Sequence, residues 1–147
     1  MTKVREVRFD TLVRAAPGSV FDAMTTTDGL DRWFTSGGST LEPVPGGALV
    51  FRYQNWGTEN FTGEIVGEVV EHRRPEKFVF RWPVDSGGYM TTVRIDFEPH
   101  ADGTLVRLVE GVYEPGDVGL QDMLKRASGW AQALTLMKFW VEHGVTY

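Results

Sequence analysis

The stretch SGWAQALTLMKFWVEHG, residues 128–144, decides how this chain folds. It reads as one strong helix, yet Gly129 stands in its interior directly before the bulky Trp130. Glycine inside a helix costs about 1 kcal/mol against alanine. At about 100° per residue, Met123, Trp130, Leu134, Met137 and Val141 share a narrow stripe flanked by Leu120 and Ala127, which predicts a face packed on the core. Ala133, Leu136 and Trp140 extend the apolar arc to one side, and Gly129 lies on that extension. Small residues there leave room for a close approach. The expected neighbour is either a pair of short helices or a second copy of the chain in a homodimer. Glu114-Pro115-Gly116 breaks the preceding pattern and Asp117 is placed to cap the helix. The helix should end near Glu142, with Gly144 beyond it, after about 24 residues or roughly 36 Å.

Upstream, the period changes from helical to alternating. Residues 4–14 place Val7, Phe9, Thr11 and Val13 on one face, the signature of a half-buried strand. Pro17 suits the first turn of a helix carrying Val20, Phe21 and Met24. Asp28 can cap a second short helix bearing Trp33 and Phe34. Residues 37–47 are rich in Gly, Ser and Pro, and read as a loop or a weak edge strand with a turn at PGG. Five strand candidates follow at 48–53, 61–72, 77–82, 92–97 and 104–112. In 61–72, Gly63 and Gly67 permit a bulge. Short turns (RRPE, DSGG, HADG) join the later strands, which predicts an antiparallel meander. One apolar sheet face must be covered, and the last helix alone is long enough to do it. The expectation is an α+β fold over residues 1–147, a single domain: a strongly bent antiparallel sheet of about six to seven strands around one long helix.

Composition narrows the function. The 147 residues are 41% hydrophobic and 24% charged, an ordinary soluble balance, and the net charge is −5. An acidic chain without clustered Lys and Arg is a poor nucleic-acid binder. No cysteine is present, so disulfides, thiolate metal sites and Cys nucleophiles are excluded. The first ten residues lack a signal-peptide core and no segment has membrane-spanning length, so no membrane partner and a cytoplasmic location are expected. His72, His100 and His143 share no ligand spacing, so neither a metal nor another cofactor is expected. The Gly-rich stretches SGGS and PGG lack the Lys-Ser/Thr of a phosphate loop.

Read in order, APGSVFDAMTTTDGLDRWF, PGGALVFRY, GEVVEHRRPEKFVFRW, GTLVRLVEGV and the later GW followed by AL resemble one family. It is the activator of heat-shock-protein-ninety ATPase homologue-like (AHSA-type) branch of the SRPBCC, or START/Bet v 1-like, superfamily. The resemblance covers nearly the whole chain. It implies a helix-grip fold, with two short helices after the first strand and the terminal helix held by the sheet. It also implies a cavity between sheet and helix that takes an apolar ligand, lipid or aromatic. With strand alternation, it assigns the cavity walls to Trp33, Phe51, Tyr53, Phe80, Trp82, Val93, Ile95, Val106, Leu108, Glu110, Trp130, Leu134 and Met137.

Glu110 stands apart in that set, because it is in register with Val106, Leu108 and Val112 and should point inward. A carboxylate on an apolar face must be paired or protonated. It is a polar anchor or general acid/base for a ligand, or it pairs locally at the strand end or the cavity mouth. Arg52 and Arg94 should face solvent. Trp56 and Asn55 either gate the cavity or cover it. Three functions fit: a small-molecule binding domain, a co-chaperone-like interaction module with a chaperone partner, and an enzyme of the cyclase or aromatase kind. The first is preferred.

Overall fold

The computed structural model describes residues 4–147. In chain order the elements are β1 (Glu6–Val13), α1 (Pro17–Thr25), α2 (Thr27–Trp33), β2 (Gly38–Leu41), β3 (Ala48–Trp56), β4 (Phe61–Arg73), β5 (Lys77–Pro83), β6 (Met90–His100), β7 (Gly103–Gly111) and α3 (Asp117–His143). The ambiguous 37–47 stretch supplies a short edge strand, β2. All seven strands form one antiparallel sheet in the order β1-β7-β6-β5-β4-β3-β2. The fold is therefore the expected α+β helix grip.

Alternation fixes which side chains face inward. In β3, Leu49, Phe51 and Tyr53 are buried; in β6, Val93, Ile95 and Phe97; in β7, Val106, Leu108 and Glu110. Arg52 and Arg94 lie on the outer side, beside Glu64 and Asp96. The register shifts between Val69 and Glu71 and between Tyr53 and Trp56, where irregularities help a sheet bend. The first shift lies beyond Gly67, not at it. Gly67 serves a close approach instead, since a Cβ there would collide with the Arg81 carbonyl oxygen of β5.

The helix starts differ from expectation in chemically simple ways. Thr26 caps α2, its hydroxyl accepting from the Gly29 amide at 3.0 Å, while Asp28 sits one residue inside the first turn. An acid there still complements the helix dipole. Gly116 precedes α3 without a side-chain cap, so Asp117 is its first residue and not its cap. At the far end, Gly144 takes a left-handed conformation at φ 69° and donates to the Trp140 carbonyl, closing the helix.

The buried stripe of α3 is Gly119, Asp122, Arg126, Trp130, Ala133, Leu134 and Met137. Met123 is half-buried and Leu120 exposed. The C-terminal half thus follows the apolar pattern, whereas the N-terminal half turns polar residues inward. Gly129 is exposed, and an added Cβ would meet no atom within 4 Å. The short helices touch α3 without approaching Gly129. Among the described residues, no helix is long and apolar enough to cross a membrane.

Candidate functional site

The sheet register assembles a polar cluster inside the grip. Glu110 of β7 lies opposite Val93 of β6. Two residues along β6, on the same face, is Thr91, which lies opposite Trp82 of β5. Three neighbouring strands therefore bring a carboxylate, a hydroxyl and an indole NH together. From above, α3 adds Arg126 and Trp130, four residues apart and so on one helix face.

These groups satisfy Glu110 completely enough to keep a charge indoors. Trp82 Nε1 at 2.9 Å, Thr91 Oγ1 at 2.6 Å and Arg126 Nη1 at 2.5 Å all donate to its Oε2, and Trp130 Nε1 donates to Oε1 at 2.7 Å. The glutamate is 0% exposed. Its desolvation cost is offset by an opposite charge and charge-assisted hydrogen bonds. Arg126 is held in turn: its guanidinium lies 4.1 Å from the Trp82 ring centroid, and Nη2 donates to the Pro83 carbonyl at 2.9 Å. A carboxylate so enclosed is fitted to hold charge and orient neighbours. A proton shuttle needs open contact with substrate or water.

Two further groups border this centre. Tyr113, just past β7, is 2% exposed, and its hydroxyl lies against the Glu110 carboxylate. Burial, reinforced by the Glu110 charge, pushes its pKa far up, so it is a neutral phenol at any ordinary pH. Asp122 accepts from the Ser86 amide at 3.0 Å, Ser86 Oγ at 2.7 Å and Tyr89 Oη at 3.2 Å. Those bonds fasten the β5–β6 connection to α3.

Around the polar centre, aromatic rings pack on one another. Phe34 stacks with Trp33 at 5.0 Å and with Trp130 at 6.0 Å, and meets Phe51, Tyr53 and Trp56 edge-on. Phe51 also touches Phe80 and Trp82, and Trp82 lies 5.6 Å from Trp130. Trp33 donates its indole NH to the Ala23 carbonyl, which fixes α2 on α1. Burial also pushes the Tyr53 hydroxyl's pKa well up.

Every residue expected to line a cavity is buried, and the apolar ones belong to one packed cluster. Two depressions open to solvent outside it. One, of about 390 Å³, lies between β1 and the C-terminal half of α3, and shares Leu134 with the cluster. The other, of about 300 Å³, lies beside Asp122, between the β5–β6 connection and the start of α3. Among the described residues, no group of three or more His, Asp and Glu side chains could hold a metal ion.

Sequence reasoning missed Arg126, Asp122, Thr91, Tyr113 and Phe34. Three of them carried a signal. Thr91 shares the inward alternation of Val93 and Ile95, and Arg126 and Asp122 precede Trp130 by one and two helical turns. An inward Glu110 calls for a cation, and the Trp130 face was the place to look.

The sequence profile of the family described as activator of Hsp90 ATPase homolog 1-like protein matches residues 14–142. This chain belongs to that family. Solved AHSA-type and related structures share the architecture. Protein MLL2253 from Mesorhizobium loti superposes with a TM-score of 0.79 at 15% identity, over 94% of this chain and 97% of that one. The Aha1 dimer from Colwellia psychrerythraea gives 0.76 at 20% identity, over 95% and 98%. DynU16, a putative protein in the dynemicin biosynthetic locus, gives 0.75 at 20% identity, over 97% of this chain and 49% of that one. At such identities the likeness concerns the fold. No curated protein matches the sequence at a significant level.

Proposed function

We propose that this AHSA-type domain binds a small apolar molecule, aromatic or lipidic, between the concave sheet and α3, with the Glu110–Arg126 pair at its polar end. The observation that carries this reading is the ion pair itself, set among Trp82, Trp130 and Phe51. As a core filler the pair is a poor choice, because well-packed apolar replacements are often neutral or stabilising by about 1–4 kcal/mol. As an anchor it supplies fixed polarity inside an apolar site, the usual composition of a small-molecule pocket. The rings pack on one another, so the ligand enters by displacing side chains. Phe34 is the ring that must yield, since it touches the rings of α2, β3 and α3 at once. Release of water from the ligand's apolar surface drives the exchange. The place of DynU16 in a biosynthetic locus supports a small-molecule role.

Native mass spectrometry of gently purified protein, with titration of an apolar fluorescent dye, tests the reading. A single retained mass, or saturable binding of one dye per chain, is expected. Non-saturable dye uptake with no retained mass would rule the interior site out.

A second reading is a protein-interaction module, favoured by the groove between β1 and α3, where Phe139 is 49% exposed. The family description links it to a chaperone ATPase, and the Colwellia relative is a dimer. Capture of Hsp90 with a change in its ATPase rate would favour a chaperone partner, and light scattering reads the homodimer. The cyclase-like reading needs a proton carrier, and a turnover that Glu110→Gln leaves intact would end the candidacy of Glu110.

A further inference from the structure

We propose that the free edge of β1 takes up an extended peptide segment of another protein as an eighth, antiparallel strand. Alternate side chains of that segment fill the groove beside α3, so the inference rests on the interaction-module reading of the groove. The sheet ends at β1 on one side and at β2 on the other. Exposed edges are usually kept short, bulged, interrupted by proline or covered. β2 is four residues long, whereas β1 runs for eight, in unbroken register with β7 and without a proline. Its inward positions Val7, Phe9, Thr11 and Val13 carry no charge to turn a visiting strand away.

The backbone of that edge points outward in a definite order. The Arg5 carbonyl accepts from the Tyr113 amide, on the β7 side. Peptide groups alternate in direction along a strand, so those of Arg8, Asp10 and Leu12 face away from β7. Arg14 has the same parity, and its amide donates to Glu142 Oε2 at 3.0 Å. A carboxylate of α3 there takes the place of a neighbouring strand's carbonyl. It closes the edge at Arg14 and leaves it open from Arg8 to Leu12. The open stretch borders the depression of about 390 Å³ lined by Phe9, Thr11, Ala131, Thr135 and Phe139.

This geometry selects the occupant. A strand laid along Arg8–Leu12 turns every second side chain into the depression and the others outward. Positions opposite Phe9 and Thr11 call for apolar side chains. Between them, the residue opposite Asp10 calls for a cation, because Asp10 is exposed while its neighbours Glu6 and Arg8 already pair with each other. The segment therefore reads apolar, Lys or Arg, apolar. Antiparallel pairing is the more stable per residue. A second copy of the chain fits worse. Of the strands, β1 makes the most extensive approach to α3, so a paired β1 would bring a second α3 into the lane of the first. Paired strands stand about 4.8 Å apart, whereas packed helices need about 8–10 Å.

The probe is the peptide acetyl-TVKFTS-amide, with a counterpart carrying Glu in place of Lys, followed by amide NMR and hydrogen exchange of the full chain. Saturable shifts are expected. Exchange should slow at Arg8, Asp10 and Leu12, and change little at Val7, Phe9 and Thr11, whose amides already face β7. N-methylation of the peptide at its lysine amide should abolish binding. The same change at the phenylalanine amide, which points away from β1, should be tolerated. Asp10→Lys should weaken the Lys peptide roughly fivefold and favour the Glu peptide by a similar factor. Equal effects of the two methylations, or shifts at Phe139 without protection of the three edge amides, overturn the added strand and leave the groove as a contact surface. Absence of any saturable shift also overturns it, and the interaction-module reading then stands or falls on partner capture alone. A chain that is dimeric by light scattering, with the edge amides protected before peptide is added, gives the edge to a second copy and overturns it too.

Discussion

Arg126 and Glu110 meet across 16 positions of sequence, Nη1 2.5 Å from Oε2, with side chains 10% and 0% exposed. Removing one partner leaves the other charge buried alone. Arg126→Met or Glu110→Gln should therefore lose about 3–5 kcal/mol, a large part of the stability of an ordinary domain. The double variant should recover much of that loss, because no lone charge remains. Urea unfolding of all four proteins measures the coupling, and strictly additive single losses would contradict it.

Asp122 holds the β5–β6 connection through Ser86 and Tyr89. Asp122→Ala should cost about 1–3 kcal/mol, since it leaves a half-buried amide and two hydroxyls without their acceptor. The loosening should be local, so hydrogen exchange at the Ser86 amide should accelerate far more than exchange in β6 or β7. Unchanged protection at Ser86 would mean that the connection is held by something else.

The Asp22 carboxylate receives Arg74 Nε at 2.9 Å and Nη2 at 3.0 Å, tying α1 to the β4–β5 turn. That hydrogen-bonded pairing holds the Asp22 pKa below the usual carboxylate value, against a smaller opposing effect of burial. A lowered folded-state value means the contribution is present above the unfolded pKa, about 3.9, and is lost as pH falls through the folded one. Asp22→Asn should therefore be slightly less stable than the unaltered chain near neutrality, and the gap should close as pH falls below about 4, which makes its acid limb shallower. The change should be small, because both side chains are about half exposed and screened. An effect on the alkaline side would have the wrong sign.

Gly129 occupies an exposed helix interior where a methyl group meets nothing within 4 Å. Gly129→Ala should stabilise the chain by about 0.5–1 kcal/mol and raise the thermal midpoint by roughly 2 °C. Its mass by light scattering should not change. A lower midpoint together with a smaller mass would reveal a second copy packed on that face, and restore the close-approach explanation.

The sheet was largely legible because one of its faces is apolar. Phe78, Phe80 and Trp82, or Val93, Ile95 and Phe97, alternate so strictly that facing followed without tertiary information. Glu110 was readable in direction from the same alternation. Its partner was not, because hydrophobic patterning discards charged residues. Arg126 and Asp122 therefore vanished from the α3 stripe although they occupy it. The caps failed for another reason: Thr26 and Asp28 are both good cap residues, and backbone conformation chooses between them. Tyr113 follows the last strand in an irregular segment, where no period predicts a direction.

The inward pair also acts as a key for the helix. A slide of α3 by one turn, about 5.4 Å, in one direction would set Asp122 against Glu110, carboxylate to carboxylate. The opposite slide would carry Arg126 away and leave the glutamate with neutral donors only, Trp82 and Thr91 of the sheet and an indole of the helix. Rings and aliphatic chains tolerate several seatings of a helix in a sheet. One charged pair, with an acid a turn behind the base, tolerates one.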